Sequence, residues 1–249
     1  MMNAPPQNNS LPEIVSVNTK CEISSLTIGD EGNLIVIVDD FLLNSDELIM
    51  IAEVQGEFID EVDNYYPGLR ADIPQLYSQI LAVFFKENIA PIFNVPDHTA
   101  PDIIESKLCI ATKAPSELVA IQSIPHFDTS ENDQIAAVHY LCNPPFQGTS
   151  FYQHRTSGYE SISVERAKSY FKWLNREATT IGLPNSGYIS GDTTAFKRIA
   201  KIELKLNRII FYKSNLLHAG DIYAETDLKT GDLQQRLTAN SFIKATPLT

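Results

Sequence analysis

Apolar residues recur along this chain at two different spacings, and the pattern changes near Ser106. Before that point, Asn33–Asp39 (NLIVIVD) is a β-branched apolar run that predicts a strand. Asn44 and Ser45 then supply capping residues for a helix over Asp46–Val54, with Glu47 near its first turn. Asn64–Arg70 (NYYPGLR) reads as a turn-rich connection. Asp72–Lys86 (DIPQLYSQILAVFFK) spaces Leu76, Ile80, Val83 and Phe84 for one face of a second amphipathic helix. From Ser106 onward eight short β-like segments follow: KLCIATK, ELVAIQSI, QIAAVHYL, TSFYQHR, AKIELKL, RIIFYK, LLHAGDIY and RLTANSFI. Turn formers such as Asn143-Pro144-Pro145 and Asn207 separate them, so the series predicts a sandwich or barrel. One helix, Val164–Thr179, interrupts the series, and a Gly/Pro/Ser/Asp loop, Gly182–Thr193, follows it. The expected class is mainly β with flanking helices (α+β). An N-terminal helical layer over about residues 35–100 packs on an eight-stranded double sheet, with a helical insert at about 160–195.

Composition narrows this picture. At 249 residues and 43% hydrophobic content the chain can bury one sizeable core, so one domain is expected over residues 13–249. Met1–Pro12, rich in Pro, Asn and Ser, reads as a flexible tail, with order beginning near Ile14. A formal charge of −12 without a Lys/Arg-rich run argues against nucleic acid as a partner, because phosphate neutralisation needs clustered positive charge. No basic segment followed by an apolar stretch marks a secretory signal in the first nine residues, and no run is long enough to cross a bilayer. Cys21, Cys109 and Cys142 are odd in number and widely separated, which suits reduced thiols; the cytoplasm is the expected compartment.

Candidate chemistry concentrates in a few residues. Pro125-His126-Phe127-Asp128 ends a strand-like run, and extended backbone puts residues two apart on one face, so His126 and Asp128 can bind one ion. His218, on the late segment LLHAGDIY, supplies a third ligand. Two imidazoles and one carboxylate leave coordination positions open, the ligand set of non-haem Fe(II) enzymes, whereas structural zinc takes four protein ligands. Arg236 and Thr238 share a face of the last strand and can together grip a carboxylate, the guanidinium by two parallel bonds and the hydroxyl by one.

The order of these motifs resembles a known family. His126-x-Asp128, Tyr140-Leu141-x-Asn143, Gly148-Thr149-x-Phe151, His218 and Arg236-x-Thr238 are similar to the prolyl-4-hydroxylase-like branch of the 2-oxoglutarate/Fe(II)-dependent oxygenases. Val38-Asp39-Asp40-Phe41-Leu42-Leu43 and the helix after it look like that branch's entry strand and helix, and the resemblance spans about Ile35–Ile243. It implies a double-stranded β-helix of the jelly-roll, cupin-like kind with the site in its open mouth. It also implies His126, Asp128 and His218 as iron ligands, Arg236 as partner of the distal cosubstrate carboxylate, and Thr238 and Tyr140 as its assistants. The implied cofactors are Fe(II) and 2-oxoglutarate. The implied activity is a dioxygenase that uses O₂ to hydroxylate a substrate C–H bond, releasing succinate and CO₂. Two departures stand out: Gln147 occupies a position where this branch often has glycine, and a polar insert, Tyr223–Asp232, lengthens the stretch from His218 to Arg236.

Two other readings compete: a cupin-like metal protein with other or no catalysis, and a silent barrel that binds a protein through its acidic surface. The substrate, whether small molecule, peptide or protein side chain, is not legible here, and neither is oligomeric state. His139, next to Tyr140 on one strand, faces away if Tyr140 faces in and is read as a non-ligand. His154 and Arg155 either touch substrate at the mouth or form a solvated strand end. Asp221 either orients His218 or closes its strand, and the 182–193 loop is a candidate lid.

Overall fold

Strand order explains why segments distant in sequence meet. The computed structural model describes residues 15–61, 65–180, 182, 187–222 and 236–247. Its strands are β1 (Glu22–Ile28), β2 (Asn33–Asp39), β3 (Gly68–Asp72), β4 (Thr99–Ala111), β5 (Gln134–Tyr140), β6 (Thr149–His154), β7 (Phe196–Ile202), β8 (Ile209–Lys213), β9 (His218–Gly220) and β10 (Leu237–Pro247). Its helices are α1 (Ser45–Gln55), α2 (Gln75–Phe84) and α3 (Val164–Thr180). The large sheet has the order β1-β2-β8-β5-β10-β4-β3 and the small one β7-β6-β9. His126 extends the small sheet beyond β9 by pairing with His218. Along the chain, β4, His126, β5, β6, β7, β8, β9 and β10 wind between the two sheets as a double-stranded β-helix, a mainly β fold with flanking helices.

The sheets meet through side chains such as Phe151 of β6 and Tyr212 of β8, whose rings lie 5.1 Å apart. On the outer face of the large sheet, α2 buries Tyr77, Leu81 and Phe84. Each such side chain contributes roughly 1.5–3 kcal/mol by leaving water. Phe41 packs on Phe84 at 5.0 Å, and His139 lies beneath this layer. The His139 ring bonds the Tyr77 hydroxyl at 3.2 Å and Asn207 Oδ1 at 3.1 Å. Helix α3 turns Tyr170, Leu174 and Glu177 inward onto a second core with Tyr152, Ile162 and Phe196 beside the small sheet.

The β1–β2 turn is tied to the far side of the chain by one carboxylate. Glu160 is fully buried and accepts the backbone N–H groups of Asp30 (2.7 Å) and Glu31 (3.1 Å) and the side-chain amide of Asn33 (2.9 Å). Gly29, at φ 67°, lets it in: a Cβ there would lie 2.1 Å from the carboxylate.

Four readings need correction. ELVAIQSI is no strand; it folds into 3₁₀ turns at Pro115–Glu117 and Ala120–Ser123. Pro115 has no N–H for a ladder, and Glu117 and Gln122 accept the N–H of Ala114 (2.6 Å) and Val119 (3.0 Å), local bonds that compete with pairing. The turn-rich NYYPGLR gives up Gly68–Arg70 to β3, an edge strand paired with β4. EISSLTI, unassigned from sequence, is β1; it too is an edge strand, mostly exposed and so without apolar alternation. Helix α2 begins only after Pro74 and runs into a π turn, Phe85–Ile89. The expected tail 1–12 and the insert Tyr223–Asp232 lie outside the described residues, as does part of the 182–193 loop.

Candidate metal centre

His126 reaches the site through a single pairing. Its backbone N–H donates to His218 O at 2.9 Å and its carbonyl oxygen accepts the return bond from the His218 N–H at 2.8 Å, so the two residues face each other and project their rings to one side. The ring centroids are 4.3 Å apart. Asp128, two residues on, donates its N–H to Ser214 O at 2.8 Å, which anchors its carboxylate against the turn leading into β9. Asp128 Oδ1 lies 3.8 Å from His126 Nε2 and 3.9 Å from His218 Nε2, and one donor atom from each residue falls within 4.8 Å of the others.

The donor chemistry fits a divalent ion. The Nδ1 of His218 lies 2.9 Å from Leu216 O; a carbonyl can only accept, so Nδ1 carries the proton and Nε2 offers its lone pair toward Asp128. Burial pushes both imidazoles down to about 4, and for His126 a charged His218 would add to the effect. Half of the His126 side chain is accessible to solvent, whereas that of His218 is only 7% exposed. Desolvation raises Asp128 to about 6, against the pull of His126. Near neutral pH the set is therefore two neutral imidazoles and one carboxylate, the protonation states that bind metal. Tyr212 and Phe151 pack on the His218 ring at 4.8 and 6.4 Å and hold its plane.

The cluster opens onto a cavity of about 590 Å³ between the sheets, within the usual range for small-molecule sites. Arg236, 4% exposed, lies on its wall against Gly220, two residues along β9 from His218 and hence roughly 7 Å away along the strand. The guanidinium donates through Nε to Gln147 O (2.9 Å) and through Nη2 to Gly148 O (2.9 Å). This edge is used by carbonyls, and the Nη1/Nη2 edge remains for a carboxylate. Gly148 lets the strands close: a Cβ there would lie 1.8 Å from Ile202 O.

The other sequence candidates divide. Tyr140 is buried behind the cavity wall; its hydroxyl donates to Thr149 Oγ1 at 2.8 Å, and Thr149 lines the cavity. Thr238 is fully buried, facing the phenol of Tyr66, which itself lines the cavity. His139 points to the opposite face of the sheet, as alternation requires. His154 is not at the mouth: it is buried between Glu177 (3.0 Å) and Ser157 (2.8 Å) and joins α3 to β6. Arg155 pairs with Asp192 on the surface. Asp221 accepts from Ser150 at 2.8 Å, while the Leu216 carbonyl takes the orienting role toward His218. Sequence reading passed over Tyr66, Phe127, Tyr212 and Asn240, all on the wall. Strand alternation from Thr238 could have found Asn240; Tyr66 and Phe127 come from irregular backbone with no periodic signal.

Fold and site together define a double-stranded β-helix protein with a two-histidine, one-carboxylate cluster at the edge of a partly open cavity. The chain belongs to the family of unknown function DUF6445, whose model matches residues 19–243. No curated protein matches it. Among solved structures it is similar to SnoK, a non-haem alpha ketoglutarate dependent carbocyclase from nogalamycin biosynthesis, at 10% identity over 85% of this chain and 79% of that one, TM-score 0.46. It is also similar to the non-haem alpha ketoglutarate dependent epimerase SnoN from the same biosynthesis, at 11% identity over 84% and 76% of the two chains, TM-score 0.44.

Proposed function

We propose that this chain is a single-domain Fe(II)- and 2-oxoglutarate-dependent dioxygenase that hydroxylates a C–H bond of a small substrate. The observation that carries the reading is the convergence of His126, Asp128 and His218 on the wall of a cavity that also holds the free edge of Arg236. Three ligands on one side would leave the remaining coordination positions directed into that cavity. When bound, iron and 2-oxoglutarate supply the activation of O₂, with succinate and CO₂ as co-products.

The chain's own residues do the positioning. His126 and His218 hold their lone pairs toward a common point because their backbones are paired and the Leu216 carbonyl fixes the His218 tautomer. Asp128 supplies the single negative charge, which leaves a divalent centre net positive and able to attract an anionic cosubstrate. Arg236, braced by Gln147 and Gly148, would receive the distal carboxylate, with Thr149 beside it. Tyr140 and Thr238 assist from behind, one through Thr149 and the other through Tyr66. The cytoplasm is the proposed setting, supported by cysteines that are not joined in a disulfide; no helix among the described residues is long and apolar enough to cross a membrane.

The test is spectroscopic. Anaerobic protein loaded with Fe(II) should develop a visible metal-to-ligand band on addition of 2-oxoglutarate, and His126→Ala should lose it. Fe(II) binding without such a band would instead identify a cupin-like metal protein of other chemistry.

A further inference from the structure

Helix α3 presents a basic row to solvent beside the cavity. Lys168, Lys172 and Arg176 recur every four residues and therefore stand in line on one face of the helix, roughly 6 Å apart along its axis. All three are exposed, and none makes an ion pair among the described residues; Arg176 stacks on Trp173 at 5.7 Å. The other charged groups of the helix are already engaged. Glu165 accepts the Ser163 hydroxyl at 2.6 Å, Arg166 pairs with Glu31 at 2.5 Å, and Glu177 is buried against His154. Like charges four residues apart repel and weaken a helix, and a chain with 31 acidic residues has ample carboxylates with which to pair them. The row instead faces outward.

This row borders the opening of the cavity. Phe171, one residue before Lys172, lines the cavity, is 43% exposed and packs on Phe127 at 6.0 Å. Ile121, also on the lining, is 39% exposed. The cavity thus meets solvent across an apolar rim next to three unpaired cations. A group tethered to a docked protein can enter there while the protein itself stays outside.

The form of the row selects its partner. None of the three cations lines the cavity at the metal cluster, so they do not converge on a small anion. Carboxylates at the same four-residue spacing on a facing helix match them charge for charge. The net charge of −12 repels an extended polyanion such as a nucleic acid or an anionic bilayer, whereas one helix can meet α3 alone.

Building on the oxygenase reading, we propose that α3 docks an acidic helix of a partner protein at the cavity mouth, and that the substrate enters the cavity while attached to that partner.

Fluorescence anisotropy of labelled probes with the full chain at low salt tests this. A helical peptide of Glu-Ala-Ala-Ala repeats should bind at least about tenfold tighter than its Lys-Ala-Ala-Ala counterpart and weaken as salt is added. Combining Lys168→Glu, Lys172→Glu and Arg176→Glu should weaken the acidic peptide at least about tenfold while Co(II) binding at the metal cluster is unchanged. The same peptide bearing a naphthyl group on a flexible Gly/Ser arm should bind at least about tenfold tighter than the bare one, because docking raises the local concentration of the group at the mouth. Equal binding of the two peptides, an acidic peptide indifferent to the triple reversal, or an arm that adds nothing overturns the inference. So does tighter binding of oligothymidylate or of phosphatidylserine vesicles. If the triple variant does not fold, the comparisons on the wild-type chain decide alone. No step here needs iron, so docking without the visible band refutes the oxygenase reading alone, and a band without docking refutes only the docking.

Discussion

His126 and His218 exchange both backbone hydrogen bonds, at 2.9 and 2.8 Å, and this one-residue ladder places two imidazoles from distant parts of the chain 4.3 Å apart. Their convergence with Asp128 sets the first expectation. Removing any one of the three, as in His218→Ala or Asp128→Ala, should weaken Co(II) binding by at least about 100-fold, read from the visible absorption of bound cobalt. Binding within tenfold of wild type would mean that the three side chains do not act as one ligand set.

Arg236 offers a fork, and the fork matters as well as the charge. Arg236→Lys should raise the KM for 2-oxoglutarate by roughly tenfold and Arg236→Met by roughly 100-fold, with kcat changed much less. Equal KM values in the lysine variant and wild type would remove the bidentate role.

His139 lies on the opposite face of the same sheet and should make the protein acid-sensitive. Burial lowers it to about 4 from an ordinary value near 6.5, so the folded state favours the neutral ring. The unfolded chain binds the extra proton between these values, and the stabilisation, complete above about 6.5, is lost as pH falls toward about 4. The loss is on the order of 3 kcal/mol. His126 and His218 add to the trend and Asp128 opposes it, so the diagnostic quantity is a difference between proteins. In urea titrations His139→Gln should show a pH slope smaller than wild type by about one proton, or roughly 1.4 kcal/mol per pH unit.

Gly148 should tolerate no side chain. Gly148→Ala forces a Cβ to within 1.8 Å of a backbone carbonyl, so β6 and β7 must separate, and the Gly148 carbonyl that braces Arg236 must move with them. Destabilisation of at least about 2 kcal/mol in urea unfolding is expected, together with weaker 2-oxoglutarate binding.

Much of this site was legible because it sits on strands. His126-x-Asp128, His218 and Arg236-x-Thr238 are read by two-residue alternation, and the structure brings all of them to one cavity except Thr238, which lies one layer back behind Tyr66. The strands QIAAVHY and NLIVIVD were visible as apolar, β-branched runs, because each is buried against a core. Illegible parts have physical causes. β1 and β3 are edge strands whose pairing is decided by neighbours rather than by their own apolar period. ELVAIQSI has apolar content, but Val119 and Ile121 stay exposed while Glu117 and Gln122 cap the local backbone. His154 reads as a strand end until its partner Glu177, on the inserted helix, is seen. Such long-range pairs carry no periodic signature.

The grip of Glu160 on the β1–β2 turn also bears on how the chain comes into being. The hairpin can form as soon as both its strands exist, but its turn stays hydrated until an acceptor from 130 residues downstream arrives. During synthesis the N-terminal hairpin must therefore wait for the first half of the barrel, through β6, to leave the ribosome before it locks, and fragments that stop short of residue 160 should expose that turn to rapid amide hydrogen exchange.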